Sequence, residues 1–296
     1  TVSLADEDGT YANVASLAVS VAPPTPTVAI AAQAAGSVAE GDTFTRSIVF
    51  SDGEDSGGDG WTYNVTWNDG VVQTGTTATQ SFELTRSAPD GDAALSATIT
   101  VSDTSGTDSD TESLALDVTN VAPTATVSGA ATIAEGSPYT LSVGPITDPG
   151  TDTRSAYTIT WGNGSTDNFT AAEWTAAGSF THTYADGPGN ATITVSTTDE
   201  DGSFTLGTQA VTIDNVAPTV AASGAATATV GVAYTLNLAN YLDPGQDSLL
   251  PDGITIDWGD GSTSTASGVG NFTHLYTATG TPTITVSLAD EDGTYA

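Results

Sequence analysis

The 296-residue sequence contains no cysteine, no methionine and no lysine, and its only fixed positive charges are Arg46, Arg86 and Arg154. Without cysteine, no disulfide or thiolate metal site holds the chain, and redox compartment cannot be read from pairing. Without clustered Lys or Arg nothing neutralises phosphate, which excludes nucleic acid and anionic membrane surfaces as partners. No apolar run approaches the roughly 20 residues of a membrane span, so no membrane insertion is expected, and no basic-then-apolar leader stands at the start. Catalysis has little to draw on: two histidines, no cysteine, and no nucleophile elbow, zinc-protease helix or phosphate loop. The expectation is a protein without enzymatic activity.

What is present is acid. Thirty-six carboxylate residues give a formal charge of -33 at pH 7, so the natural partners are cations. Such charge often means disorder. Here 38% of the residues are hydrophobic, five are tryptophan, and the apolar positions alternate as in strands. The acids are then the solvated faces of β-sheets.

The chain repeats. Thr1 to Ala12 reads TVSLADEDGTYA, and Thr285 to Ala296 reads the same twelve residues, 284 positions later. The parent polypeptide is expected to recur at that interval. Within it Val21-Ala22-Pro23, Val121-Ala122-Pro123 and Val216-Ala217-Pro218 mark a shorter repeat, spaced 100 and 95 residues apart. The remainder is the size of one more module, so the period holds three, each of Ig-like length. Val65-Thr66-Trp67, Ile159-Thr160-Trp161 and Ile256-Asp257-Trp258 end alternating strands with a tryptophan before a Gly/Asn/Asp turn. Thr98 to Ser102, Thr192 to Ser196 and Thr283 to Ser287 give a second β-branched strand, 32, 32 and 26 residues after the tryptophan when measured to the aligned Ile. No segment has a convincing helical period. The boundaries read as a closing hairpin of a preceding copy at 1–21, then modules 22–121, 122–216 and 217–296, the last without its final strand.

These residues resemble the PKD-type Ig-like domain of bacterial surface proteins. Trp258-Gly259-Asp260-Gly261, His274-Leu275-Tyr276 and Asp290-Glu291-Asp292-Gly293 follow that family's order in module three. Trp161-Gly162-Asn163-Gly164, His182-Thr183-Tyr184 and Asp199-Glu200-Asp201-Gly202 do so in module two. Module one keeps Trp67-Asn68-Asp69-Gly70 but has no His-x-Tyr. The fold expected is all-β: tandem Ig-like (PKD-type) β-sandwich repeats forming an elongated rod. His182 and His274 recur at one place in two modules, which marks a packing residue rather than a unique active site.

Calcium is the sharper expectation. Asp outnumbers Glu 27 to 9, and short carboxylates in Gly- or Pro-containing turns suit an oxygen shell of six to eight ligands; Asp also simply favours turns. Strands of a sandwich alternate direction, which sorts the loops to two ends. For the junction of modules one and two this gathers Glu40, Asp69, Asp117 and Asn120 against Asp148, Asp152, Asp199 and Asp201. For the next it gathers Glu135, Asp214 and Asn215 against Asp243, Asp247, Asp290 and Asp292. At the entry to module one only Asp52, Glu54, Asp55 and Asp103 remain. The layout resembles cadherin junctions, with Asp214-Asn215-Val216-Ala217-Pro218 as the linker, and that resemblance implies calcium between modules.

The expected role is a structural or adhesive repeat region of a long extracellular bacterial surface protein or fibre, rigidified by calcium. Its partners would be further copies of the repeat, in the same chain or head to tail. One alternative is a carbohydrate- or protein-binding accessory of an extracellular enzyme, using Trp61 and Trp174 as an aromatic platform. Another is a laterally assembling surface-layer or filament subunit at the cell surface. Sequons at Asn64, Asn163, Asn168, Asn190 and Asn271 leave a surface glycan open.

Overall fold

A computed structural model describes residues 2–20, 28–53, 60–104, 108–177 and 179–296. The chain divides into two compact units, Thr1–Asn120 and Val121–Ala296. Among the described residues every regular element is a strand apart from one short helix, and no helix is long and apolar enough to cross a membrane.

In the first unit, two sheets enclose one core. One sheet runs Gly36–Ala39, Ser109–Thr119, Ala93–Asp103, Trp61–Trp67, Val72–Thr77; the other runs Val28–Ile30, Thr43–Asp52, Ser81–Ser87. All pairs are antiparallel except Gly36–Ala39, which lies parallel to Ser109–Thr119. Period-two alternation explains which side faces in: Leu114, Leu116 and Val118 are buried, while Ala115 and Asp117 between them are exposed. With Phe44, Ile48, Val65, Trp67 and Ile99 they fill the space between the sheets. Each such side chain contributes about 1.5–3 kcal/mol by leaving water.

The second unit holds two sandwiches with separate cores. The first repeats the strand order just described: Thr132–Ala134, Ser203–Asp214, Gly189–Thr198, Ala156–Thr160, Thr166–Thr170 face Val127–Ser128, Pro138–Val143, Phe180–Thr183. In the other, Thr263–Ala266, Ile254–Asp257, Thr285–Ala289, Thr294–Tyr295 face Thr219–Gly224, Ala233–Leu242, Gly270–Leu275. The chain is thus a tandem array of Ig-like β-sandwiches.

The strand tryptophans anchor the two sandwiches of the second unit. Trp161 and Trp258 are fully buried, and His182 and His274 stack on them at 4.7 Å between ring centres. Tyr184 and Tyr276 donate their hydroxyls to the Trp161 and Trp258 carbonyls at 2.9 and 3.1 Å. His182 meets Asn163 at 3.0 Å and His274 meets Asp260 at 2.7 Å, so each imidazole ties the turn after the tryptophan to the neighbouring strand. The Ser262 hydroxyl, followed by His274, holds the Asp260 carboxyl down to about 2.

Two expectations change. The helix Ala171–Ala176 went unseen because six residues carry no period; its signal was local, a capping box in which Thr170 and Glu173 satisfy each other's backbone amides. Residues 2–15 form a hairpin, Val2–Asp6 with Gly9–Ala15, and Val21-Ala22-Pro23 lie outside the described residues. Trp61 is 4% exposed, edge-on to Phe50, and Trp174 stacks on Tyr157 and Phe180 at 4.4 and 4.5 Å. Both are packing residues, which leaves the carbohydrate platform without its aromatic pair.

Candidate metal centre

The acidic residues of the second unit are placed by two kinds of turn that occur in both of its modules. The first is Asp199-Glu200-Asp201-Gly202, repeated as Asp290-Glu291-Asp292-Gly293. One oxygen of the leading aspartate accepts two amides of its own turn: Asp199 from Asp201 and Gly202, both at 3.0 Å, and Asp290 from Asp292 and Gly293 at 2.9 and 3.0 Å. That fixes the side chain and turns it inward, so that Asp199 and Asp290 are buried.

The second turn is Asp148-Pro149-Gly150-Thr151-Asp152, repeated as Asp243-Pro244-Gly245-Gln246-Asp247. The glutamate of the first turn clamps it. Glu200 accepts the Thr153 amide at 2.8 Å, and Glu291 accepts that of Ser248 at 2.9 Å. The outcome is the same triad twice: Asp148, Asp152 and Asp199 in one module, and Asp243, Asp247 and Asp290 in the next, each with carboxylate oxygens within 4.8 Å of one another. Like charges this close repel by about 3 kcal/mol per pair at an effective dielectric of about 20.

A further group joins the two modules of this unit. Glu135, Asp186, Asp247 and Asp292 also bring carboxylate oxygens within 4.8 Å. Glu135 is buried and works as a structural acceptor, taking the Gly187 amide at 2.6 Å and the Val216 amide of the linker at 2.7 Å. Asn215 donates to Asp292 at 2.9 Å and accepts from the Tyr295 hydroxyl at 3.1 Å. The Gln246 amide donates to the Ala185 carbonyl at 2.7 Å, and a side chain added at Gly136 would stand 2.0 Å from the Pro244 carbonyl oxygen. Backbone meets backbone here, so the carboxylates are held at fixed distances.

Asp247 belongs to both groups. It is 8% exposed, and both of its oxygens are buried without a hydrogen-bond partner; Asp290 leaves its second oxygen in the same state. Burial, then the charges of Glu135, Asp243, Asp292 and Asp186, push the Asp247 carboxyl up to about 7. A buried polar atom without a partner costs on the order of 1–3 kcal/mol. Oxygen-only donors at this spacing match a hard cation such as calcium, whose oxygen ligands stand at about 2.3–2.6 Å.

The remaining candidates divide as follows. Asp214 and Asp117 lie within strands, not loops, and their side chains are exposed; alternation turns them away from the core, and neither joins an acidic group found among the described residues. In the first unit Glu40 is buried and accepts the Gly91 amide at 2.8 Å, repeating the role of Glu135, while the Asn120 amide donates to Asp92 at 3.1 Å. Asp69 is paired with Arg86, which supplies the cation locally. Asp52 accepts from the Trp61 indole at 3.1 Å; Glu54 and Asp55 lie outside the described residues. Asp186 was missed by the sequence reading. Its signal was the Asp-Gly turn just after His182-Thr183-Tyr184, which matches Asp90-Gly91 in module one.

No family model and no curated protein matches this sequence. Solved structures do. A tetra-tandem repeat in the extending region of a large adhesion protein is 18% identical, covering 90% of this chain and 71% of that one at a TM-score of 0.34. The FN1–FN3 domains of chicken CNTN1 are 12% identical over 91% and 94% of the two chains at 0.26, and titin domains A168-A170 are 12% identical over 92% and 96% at 0.35.

Proposed function

We propose that this chain is a structural and adhesive repeat region of an extracellular bacterial surface protein, in which calcium at the junctions between PKD-type modules restrains their relative motion. The observation that carries the reading is Asp247: a carboxylate with both oxygens buried and unpaired, at the meeting of two modules, ringed by Glu135, Asp186, Asp243, Asp290 and Asp292. A strongly acidic extracellular chain meets calcium at millimolar concentration. There the ion replaces mutual repulsion with coordination and cross-links the modules on either side of the linker. The sandwiches supply reach, and further copies of the repeat along one chain supply length.

The test is thermal unfolding in chelator and in 10 mM calcium. With a dissociation constant near the ~10⁻⁴ M common to extracellular modules, each occupied site adds about 2.7 kcal/mol, and the melting temperature rises. Equal melting in both solutions, with no heat on calorimetric titration, would remove calcium from the account.

A further inference from the structure

The two acidic groups that meet at Asp247 differ in ownership. Asp243, Asp247 and Asp290 all belong to one module, whereas Glu135 and Asp186 come from the module before it. We propose that module three holds an inner cation of its own on Asp243, Asp247 and Asp290, and that Asp247 bridges it to a second, outer cation completed by Glu135, Asp186 and Asp292. This rests on the calcium reading above and deepens it. The junction becomes a two-ion centre in which one ion is intrinsic to a module and only the other depends on the neighbour.

Three observations lead there. The first is that Asp247 contributes a carboxylate oxygen to both groups, while no other residue is shared between them. A carboxylate has two oxygens and about four lone-pair directions, and both Asp247 oxygens lack any other partner. The second is Asp290, 2% exposed. Its turn amides occupy one oxygen and leave the other buried and unpaired beside Asp243 and Asp247. The third is repetition: Asp148, Asp152 and Asp199 rebuild the inner triad in module two, where Asp199 again keeps one oxygen buried and unpaired.

The copies differ in one informative respect. In module two Arg154 donates to Asp148 at 3.0 Å, placing a protein cation at the edge of the triad. In module three the matching residue is Leu249, and Asp243 is met instead by the uncharged Tyr241 hydroxyl at 3.0 Å. The inner site of module three therefore carries the larger uncompensated charge and binds its ion more tightly than its copy in module two.

The experiment counts bound calcium on the full chain by equilibrium dialysis at saturating calcium, with calorimetric titration for affinity. Relative to the parent chain, Asp186→Asn loses one ion, Asp243→Asn loses one, and Asp247→Asn loses two. Asp247 makes no hydrogen bond that holds the fold. Should Asp247→Asn nevertheless fail to fold, the double variant Asp186→Asn/Asp243→Asn is expected to lose two ions. Loss of a single ion in both Asp247→Asn and the double variant would overturn the two-ion centre while leaving junction calcium standing. A parent chain that binds no calcium at all would overturn both readings. In the parent titration, a tightest class that survives Asp148→Asn and weakens at least tenfold in Asp243→Asn supports the ranking of the two inner sites; the reverse pattern overturns it.

Discussion

Glu135 accepts the backbone amide of Val216 at 2.7 Å, so the carboxylate that opens one module also grips the linker that leaves it. Its other oxygen takes the Gly187 amide at 2.6 Å. A buried acid engaged on both sides by backbone is a fixed negative charge, and it is fixed next to Asp247.

Replacing Glu135 with Ala should therefore have two opposing effects in the absence of calcium. It strands two amides, a loss on the order of 1.5–3 kcal/mol for each charged hydrogen bond, and it relieves the repulsion on Asp247. In calcium the relief vanishes and a ligand is lost as well. Denaturant unfolding should show a larger destabilisation in calcium than in chelator. An equal cost in both would mean that Glu135 serves the backbone alone.

Gly136→Ala should disturb the same junction without touching a charge. Gly136 has φ of 67°, where a side chain is strained, and the added carbon would stand 2.0 Å from the Pro244 carbonyl oxygen. Since that atom is backbone, the two modules must separate locally. The corresponding change at Gly231 has the same φ strain but meets nothing within 4 Å. Calcium affinity should fall at least tenfold in Gly136→Ala and stay unchanged in Gly231→Ala; matching affinities in the two variants would contradict the geometry.

The pH dependence has a definite sign. Unfolded, Asp247 loses its proton near pH 4; folded and without cation, it does so at about 7. Between those values the folded chain holds more protons than the unfolded one, so stability in chelator declines as pH rises from about 4 to about 7. A bound cation keeps the carboxylate ionised and abolishes that decline. Asp247→Asn should flatten the chelator profile, and a slope unchanged by the substitution would place the effect elsewhere.

Tyr276→Phe removes the hydroxyl that reaches the buried Trp258 carbonyl at 3.1 Å. The carbonyl is left without that donor, at a cost of about 1–3 kcal/mol. Tyr184→Phe should cost a similar amount through Trp161. Because each hydroxyl bonds a tryptophan carbonyl and none of the acidic side chains, calcium affinity should stay the same in both variants. A shift in affinity would show that the Trp-Tyr clasp reaches the metal site.

Period and alternation made the sandwiches legible in sequence, because a strand shows its buried face every second residue. In the β-branched strands Thr98 to Ser102 and Thr192 to Ser196, the alternation with hydroxyl residues marks Ile99, Val101, Ile193 and Val195 as the inward face, and all four are buried. Burial itself is another matter. Leu4 and Leu288 sit in identical twelve-residue sequences and pair with Tyr11 and Tyr295 in the same register, yet Leu4 is 60% exposed and Leu288 is 4% exposed. The hairpin is local; the facing sheet that covers Leu288 is not.

The acidic site was legible in the same uneven way. Asp243, Asp247, Asp290 and Asp292 were visible as repeated turns, and those turns do converge. Asp214 was placed by proximity to the linker, but its strand runs through it and turns the carboxylate outward. Asp186 carried its Asp-Gly turn as a signal, but its nearness to the acids of the next module shows in the fold, where the Gln246 amide meets the Ala185 carbonyl.

Anomalous diffraction from crystals grown in 10 mM calcium tests the central claim most directly. The account requires a calcium peak bonded to Asp247 at about 2.3–2.6 Å, with Glu135, Asp186 or Asp292 in the same shell. An Asp247 carboxylate that is well ordered under those conditions, with no anomalous peak within bonding distance of either oxygen, would contradict it.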